Sequence, residues 1–318
     1  MKITVAGAGA MGCRFGSALF EAGHEVLLLD GWREHVAAIN AAGLTVSSEE
    51  GSRVVRVPAA LFPAAREPAD LVIMFAKATQ TASVAAAAAG AIGPATLVLT
   101  LQNGLGNIEA LRSYVPEDRL LAGTTTLGTE LLGPGHIRAL GSGETALGAL
   151  RPGTSDHAER TRLTLSAAGL PTRVAADALG VIWAKVAFNC VMNSLCAIAS
   201  IPVSALGLYG GFDTVASGIL GEVAAVAAAE GVTVDTEAAL RLMKAQFDPA
   251  ASGDHLASTL QDLMNGRPTE IAHLNGAIAS RAQAHGIEAP LNALITQLIQ
   301  LLEATWPRRV TRLHPDTQ

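Results

Sequence analysis

The sequence predicts an α/β protein: a doubly wound parallel sheet followed by an all-helical C-terminal domain. Three observations lead there. Short continuous apolar runs alternate with helix-compatible stretches through the first half of the chain. A glycine-rich turn joins the first such run to the first helical stretch. From about Asp177 onward strand signals vanish and helical periodicity takes over.

The elements follow in order. Ile3-Thr4-Val5-Ala6 leads into Gly7-Ala8-Gly9-Ala10-Met11-Gly12, then a helical stretch, then His24–Leu29 tipped by Asp30. Gly7 permits a tight turn, Gly9 lets backbone approach a pyrophosphate, and Gly12 lets the helix lie close to the strand. The backbone at Ala10 and Met11 opens that helix, whose unpaired N–H groups and positive dipole end suit phosphate. Asp30 follows Gly7 by 23 residues, near the spacing of an acid that binds the adenosine ribose hydroxyls. This strand–turn–helix–strand–acid order is the Rossmann-type fingerprint. Asp30 is also a plausible helix N-cap or turn residue.

Further strands are expected at Leu71–Phe75, Leu97–Leu101 and Leu120–Thr126, as unbroken apolar runs suited to burial on both faces. Helices are expected at 12–22, 33–42, 80–89 and 107–114. The Gly-punctuated runs Gly128–Glu130, Gly135–Ala139 and Thr145–Ala149 read as antiparallel strands closing one sheet edge. The helical region runs through Leu302, broken at Pro202, Pro249, Pro268 and Pro290. These features divide the chain into a dinucleotide-binding domain, 1–175, and an all-helical domain, 176–318, to which the resemblance described below gives the substrate, catalytic and dimerisation roles. The tail Trp306–Gln318, with Pro307 and Pro315, is expected to be extended.

Composition narrows the function. Apolar residues make up 50% of 318 and charged residues 16%, so a large core is expected, poor in aromatics at 4%. The net charge of −6, without a basic block, argues against nucleic acid as a partner. Cys13, Cys190 and Cys196 show neither disulfide nor metal spacing, and the eight histidines are scattered, so no metal is expected. A strand beginning at Lys2 leaves no room for a signal peptide, and the expectation is a reduced, cytoplasmic protein. The uncharged stretch 186–212 carries Asn189, Asn193, Ser194 and Pro202, and reads as a helix buried on most sides, not a membrane span.

Chemistry-bearing residues cluster. Lys185, Asn189 and Asn193 lie at i, i+4 and i+8, on one face of an otherwise apolar helix. That stripe either caps the helix at an interface or cradles a substrate with a proton donor. Ser258-Thr259-Leu260-Gln261-Asp262 precedes Gly266-Arg267-Pro268-Thr269-Glu270, where Thr269 or Pro268 can open a helix with Glu270 in its first turn. Glu270 there is either a dipole-favoured carboxylate or a functional one. Lys77 and Asn103 follow strands, at the carboxyl ends where ligands bind in this architecture. The alternatives are a surface lysine and an Asn-Gly turn.

Together these motifs resemble the ketopantoate reductase family across nearly the whole chain. The resemblance rests on Gly7–Gly12, Phe75-Ala76-Lys77, Gln102-Asn103-Gly104, and Trp183 with Lys185, Asn189 and Asn193. It also rests on Ser258–Asp262, Thr269-Glu270-Ile271, and Ala284-His285-Gly286-Ile287 with Pro290. It implies a nicotinamide cofactor on the first domain, a catalytic lysine on the second, and an active site in the cleft between them. The implied reaction is reduction of a 2-oxo acid to the D-2-hydroxy acid, with Lys185 donating the proton. Glu270 would hold the lysine or a substrate hydroxyl, and Asn189, Asn193 and Ser258 would bind substrate polar groups. Asn103 would sit by the nicotinamide ribose and the reacting carbonyl, with Lys77 by the cofactor or substrate carboxylate. Well-known members prefer NADPH and place an arginine after the second strand. Here Asp30 favours NAD(H), and Arg33 keeps NADP(H) open. The alternatives are an NAD-dependent, mandelate-like D-2-hydroxyacid dehydrogenase and, from another class, a dinucleotide sensor without turnover. The apolar helices suggest a homodimer.

Overall fold

A computed structural model describes residues 1–248 and 255–309. Pro249, and the tail beyond 309, therefore lie outside the described residues. The chain divides into two compact units, Met1–Ile182 and Trp183–Gln318.

The first unit is built on an eight-stranded sheet. Its strands are β1 (Lys2–Ala6), β2 (Glu25–Asp30), β5 (Ala59–Leu61), β6 (Leu71–Met74), β7 (Leu97–Thr100), β8 (Leu120–Thr125), β11 (Thr145–Ala149) and β12 (Thr172–Val174). The order is β12-β11-β8-β7-β6-β1-β2-β5. From β8 through β5 every pairing is parallel; β11 runs antiparallel to β8, and β12 lies parallel to β11. β1 and β6 are neighbours although β2 follows β1 in sequence, so the winding reverses beside β1. Such a switch point opens a crevice beyond the strand ends. The continuous apolar runs become buried strands: Ile3, Val5, Leu71, Ile73, Leu97 and Leu99 are all essentially inaccessible.

A second sheet corrects the expected edge. β3 (Leu44–Ser48) and β4 (Gly51–Val55) pair with β9 (Gly128–Gly133) and β10 (His136–Leu140) in the order β4-β3-β10-β9. Thr145–Ala149 does close the main sheet, but Gly128–Glu130 and Gly135–Ala139 leave it. They leave because Leu44, Val46 and Ile137 bury together, pairing two segments some ninety residues apart in parallel, His136 opposite Thr45. Arg14, on helix α1 (Ala10–Glu21), donates to the Gly128 and Leu140 carbonyls and fixes this sheet to the first helix. Helices α2 (Arg33–Ala42), α3 (Thr81–Ala87), α4 (Asn107–Leu111) and α5 (Ser155–Ala167) complete the unit.

Among its described residues, every regular element of the second unit is helical. Its helices are α6 (Ala178–Ala199, which begins in the first unit), α7 (Phe212–Ala229), α8 (Thr236–Ala245), α9 (Ser258–Met264), α10 (Asn275–His285) and α11 (Pro290–Thr305). The uncharged stretch 186–212 is not one helix. α6 stops at Ala199, Ser200 takes φ +55, and Pro202 opens a 3-10 turn, Val203–Leu208. α6 and α7 are long and apolar enough to cross a membrane, but two-thirds of the α6 window is buried within the protein, as befits a core helix. All three cysteines are buried free thiols.

A chain of polar side chains crosses this apolar interior. Ser194 Oγ donates to Asn275 Oδ1 at 2.7 Å, and Asn275 Nδ2 donates to the Cys190 carbonyl at 3.0 Å and to Asn292 Oδ1 at 2.9 Å. Asn292 Nδ2 donates to Glu222 Oε2 at 2.7 Å. Glu222 also accepts from the Leu291 and Asn292 N–H groups at 2.8 and 2.9 Å. It thus caps α11, whose first residue, Pro290, has no N–H to satisfy. Ser194, Asn275 and Asn292 are fully buried and fully engaged, as buried polar groups must be.

Candidate active site

In the first unit the glycine loop is shaped by close approach. Gly7 takes φ +101, and a Cβ there would lie 2.5 Å from Ala76 N, so the loop is pressed against the segment after β6. A Cβ on Gly12 would lie 1.9 Å from the Gly7 carbonyl oxygen; only glycine lets α1 start so near the turn. Gly9 is different: a Cβ there would meet nothing within 4 Å. The protein's own packing does not require glycine at 9, and the room a side chain would take lies before the first turn of α1, where N–H groups lack intrahelical partners. That cradle fits a dinucleotide pyrophosphate. Gly7 and Ala8 N–H both donate to the Leu29 carbonyl, at 2.9 and 3.1 Å, which brings the end of β2 to the loop.

Asp30 ends β2. Its Oδ1 accepts from Trp32 N–H at 2.8 Å, so it serves a turn, and the residue preceding α2 as its N-cap is Trp32 rather than Asp30. Arg33 is exposed in the first turn of α2. Trp32 stacks on His35, centroids 5.2 Å apart and planes 6° from parallel. His35 is fully buried; its Nδ1 accepts from Gly135 N–H at 3.0 Å, and its Nε2 lies 3.4 Å from Cys13 Sγ. Burial holds this imidazole below its usual pKa, favouring the neutral form, and pushes the Cys13 thiol up. Cys13 donates to the Ala8 carbonyl at 3.0 Å. This pair props the loop from behind, and sequence reasoning missed it because neither residue belongs to a recognisable spacing.

Lys77 and Asn103 lie past the carboxyl ends of β6 and β7, each half-buried. The loops that carry them are joined by a relay missed from sequence. Gln102 Nε2 donates to the Ala76 carbonyl and to Thr81 Oγ1, each at 2.8 Å. Thr81 Oγ1 donates to Asn107 Oδ1 at 2.7 Å, and Asn107 Nδ2 to the Asn103 carbonyl at 3.0 Å. The structure thus gathers Gly7–Gly12, Asp30, Lys77 and Asn103 along the ends of neighbouring strands.

In the second unit, α6 carries Lys185, Asn189 and Asn193 on one face, with Asn189 7% and Asn193 9% exposed. Asn193 Nδ2 donates to Ser258 Oγ at 3.1 Å, joining two residues 65 apart in sequence. Lys185 retains some solvent contact, yet the protein around it pushes the ammonium down to about 8; the opposing influence is the nearby Glu270 carboxylate. Glu270 does not open an α-helix as expected. It precedes a 3-10 turn, Ile271–His273, and α10 starts only at Asn275. The Thr269 hydroxyl accepts from Ile271 N–H at 3.2 Å, folding the backbone into a tight side-chain-supported turn instead. Among the described residues, no group of three His, Cys, Asp or Glu is placed to hold a metal ion.

The glycine loop of the first unit can take a dinucleotide pyrophosphate, and the second unit holds a lysine of depressed pKa beside a carboxylate, a pairing typical of proton-transfer groups. The protein is an oxidoreductase acting on CH–OH groups. It belongs to the ketopantoate reductase family: the model of ketopantoate reductase PanE/ApbA matches residues 3–152, and that of its C-terminal domain matches residues 177–303. A 2-dehydropantoate 2-reductase of Lactococcus lactis is 35% identical over 306 residues, 95% of this chain and 98% of its own. A solved D-mandelate dehydrogenase in ternary complex with NADH and anilino(oxo)acetate is 34% identical with TM-score 0.93, covering 96% of this chain and all of that one. A PanE/ApbA family ketopantoate reductase from Ralstonia eutropha is 36% identical with TM-score 0.85, covering 97% of this chain and all of that one.

Proposed function

We propose that the protein reduces 2-dehydropantoate, or a related 2-oxo acid, to the D-2-hydroxy acid, with NAD(H) as the favoured cofactor. The observation that carries this reading is Lys185: an ammonium with a pKa of about 8 beside Glu270, on the helix face that also presents Asn189 and Asn193. When bound, the nicotinamide supplies and accepts hydride. Gly7, Gly9 and Gly12, with the backbone of Ala10 and Met11, hold the pyrophosphate, and Asp30 takes the adenosine ribose hydroxyls. Lys77 and Asn103 serve the cofactor and the substrate's carboxylate and carbonyl. Lys185 Nζ hydrogen-bonds the carbonyl oxygen and gives it a proton as alkoxide character develops. Glu270 keeps that ammonium charged and oriented, while Asn189, Asn193 and Ser258 hold the substrate's polar groups.

A specific observation favours a second reading, an NAD-dependent D-2-hydroxyacid dehydrogenase whose substrate is not pantoate. Asp30 is a carboxylate where a 2′-phosphate would lie, and the D-mandelate dehydrogenase relative is described with NADH. Initial rates with 2-dehydropantoate and with bulkier 2-oxo acids, NADH beside NADPH, separate the two. Ketopantoate is expected to be reduced, and NADH to be preferred. Asp30→Ser is expected to narrow that preference about tenfold or more, which corresponds to about 1.4 kcal/mol of lost repulsion against the 2′-phosphate. Preference for NADPH in the parent would assign the 2′-phosphate to Arg33 instead.

The reading includes a cytosolic homodimer joined through the helical unit. Leu291, Leu294 and Leu301, on α11, are 39%, 56% and 57% exposed, more apolar surface than a lone helix face usually shows. Light scattering at micromolar concentration should give twice the chain mass; a monomeric mass removes this element.

A further inference from the structure

The residues from Arg267 to Glu270 form no regular element, yet Glu270 must stand in a fixed relation to Lys185. Local contacts brace the start of this segment. Arg267 N–H donates to the Asp262 carbonyl at 2.9 Å, and its guanidinium Nε to the buried Asp262 carboxylate at 3.1 Å. The end is braced by the Thr269 hydroxyl and by His273 N–H, which donates to the Glu270 carbonyl at 2.9 Å. The anchor from a distant element is Glu303, in the last turns of α11, whose Oε1 accepts from Thr269 N–H at 2.7 Å. Thr269 is itself 5% exposed, so its N–H is in no position to exchange that carboxylate for water at low cost. A charge-assisted bond to the peptide immediately before Glu270 is among the stronger restraints a backbone N–H can have.

The geometry points to Glu303 as a positioning residue: by holding the Thr269 peptide it sets the Glu270 carboxylate against Lys185. It acts through Glu270 and touches neither reactant. The inference rests on the proposed role of the Lys185–Glu270 pair, and its test is chosen to stand apart from turnover. The charged and titratable groups of the segment and of the elements bonded to it include Asp262, Arg267, Glu270, His273, Glu303 and Lys185, and Glu303 reaches it from α11.

Two variants separate the hydrogen bond from the charge. Glu303→Gln keeps an acceptor oxygen at the same reach and loses the charge. Glu303→Asp keeps the charge and withdraws the oxygen by one methylene. The chain has four lysines, Lys2, Lys77, Lys185 and Lys244, few enough for NMR titration after reductive methylation with a carbon-13 label. Lys185 is identified by its absence in Lys185→Arg, and Glu270→Gln supplies the reference shift. Glu303→Asp is expected to lower the Lys185 midpoint by about half a pH unit or more, toward the Glu270→Gln value, because the carboxylate that favours the ammonium has moved away. Glu303→Gln, which keeps the acceptor but not the charge assistance, should shift clearly less than Glu303→Asp, and kcat should follow the same order with KM little changed. A general loss of packing does not distinguish Asp from Gln in this way. Parental titration in Glu303→Asp, or an equal shift in Glu303→Gln, overturns the inference. The titration needs neither cofactor nor substrate, so a wrong substrate assignment leaves this result standing.

Discussion

Lys185→Ala is expected to lower kcat for 2-oxo acid reduction by about 10²–10⁴-fold, the range for loss of a positioned general acid. NADH affinity, followed by the cofactor's fluorescence, should stay within about twofold, because Lys185 belongs to the helical unit and the dinucleotide loop does not. The parent enzyme's pH profile gives the same assignment a second test. Burial disfavours the charged form of an amine and so lowers its pKa, here to about 8. Reduction needs the ammonium, so its kcat should fall as pH rises through about 8. Oxidation of the hydroxy acid needs the neutral amine as base, so its kcat should rise over the same interval. Profiles flat from pH 7 to 10 in both directions, or turnover retained in Lys185→Ala, would remove Lys185 from the role of acid.

Gly12→Ala should lower stability and Gly9→Ala should leave it unchanged. At Gly12 a methyl would sit 1.9 Å from the Gly7 carbonyl oxygen. Relieving that overlap costs about 1–3 kcal/mol or more, beyond the roughly 1 kcal/mol that alanine gains over glycine within a helix. The melting temperature is expected to fall by several degrees, about 2–4 °C per kcal/mol for a unit of this size, and dinucleotide binding should be lost with the loop geometry. At Gly9 the methyl meets no protein atom within 4 Å, so the melting temperature should not change. NADH affinity should nevertheless drop about tenfold or more, since the backbone approaches the pyrophosphate there. An unaltered NADH Kd in Gly9→Ala, measured by fluorescence titration, would mean that the open space beside Gly9 does not receive the cofactor.

Much of the fold can be read from the chain because its signals are local. The runs that became β1, β6, β7 and β8 are unbroken and apolar, as strands covered on both faces must be, and the glycine spacing declares the turn. In the second sheet β9 and β10 are legible as strands, but β3 and β4 are not, because they are short and half-polar: Thr45, Ser47, Ser48, Ser52 and Arg53 give no alternation strong enough to stand out. The sheet's pairing joins segments far apart in sequence, which no window can register. The polar face of α6 was legible from a spacing of four. The Asn193–Ser258 bond, the Gln102–Thr81–Asn107 relay and the Cys13–His35 support were not, because each depends on where separate elements come to rest. Glu270 stands out in the sequence, but its turn does not: Pro268 and Thr269 resemble a helix start until Thr269 bonds to the backbone instead.

The buried Ser194–Asn275–Asn292–Glu222 chain bears on how the helical unit chooses one packing among many. A core of alanine, leucine and valine with few aromatics has little relief, and helices with such faces fit each other nearly as well after sliding one turn. Sliding α6 by a turn would take the Ser194 hydroxyl away from the Asn275 oxygen and the Cys190 carbonyl away from the Asn275 amide, at about 1–3 kcal/mol for each stranded group. Polar landmarks, not hydrophobic shape, therefore assign the register, and with it the height at which Lys185 stands along its helix.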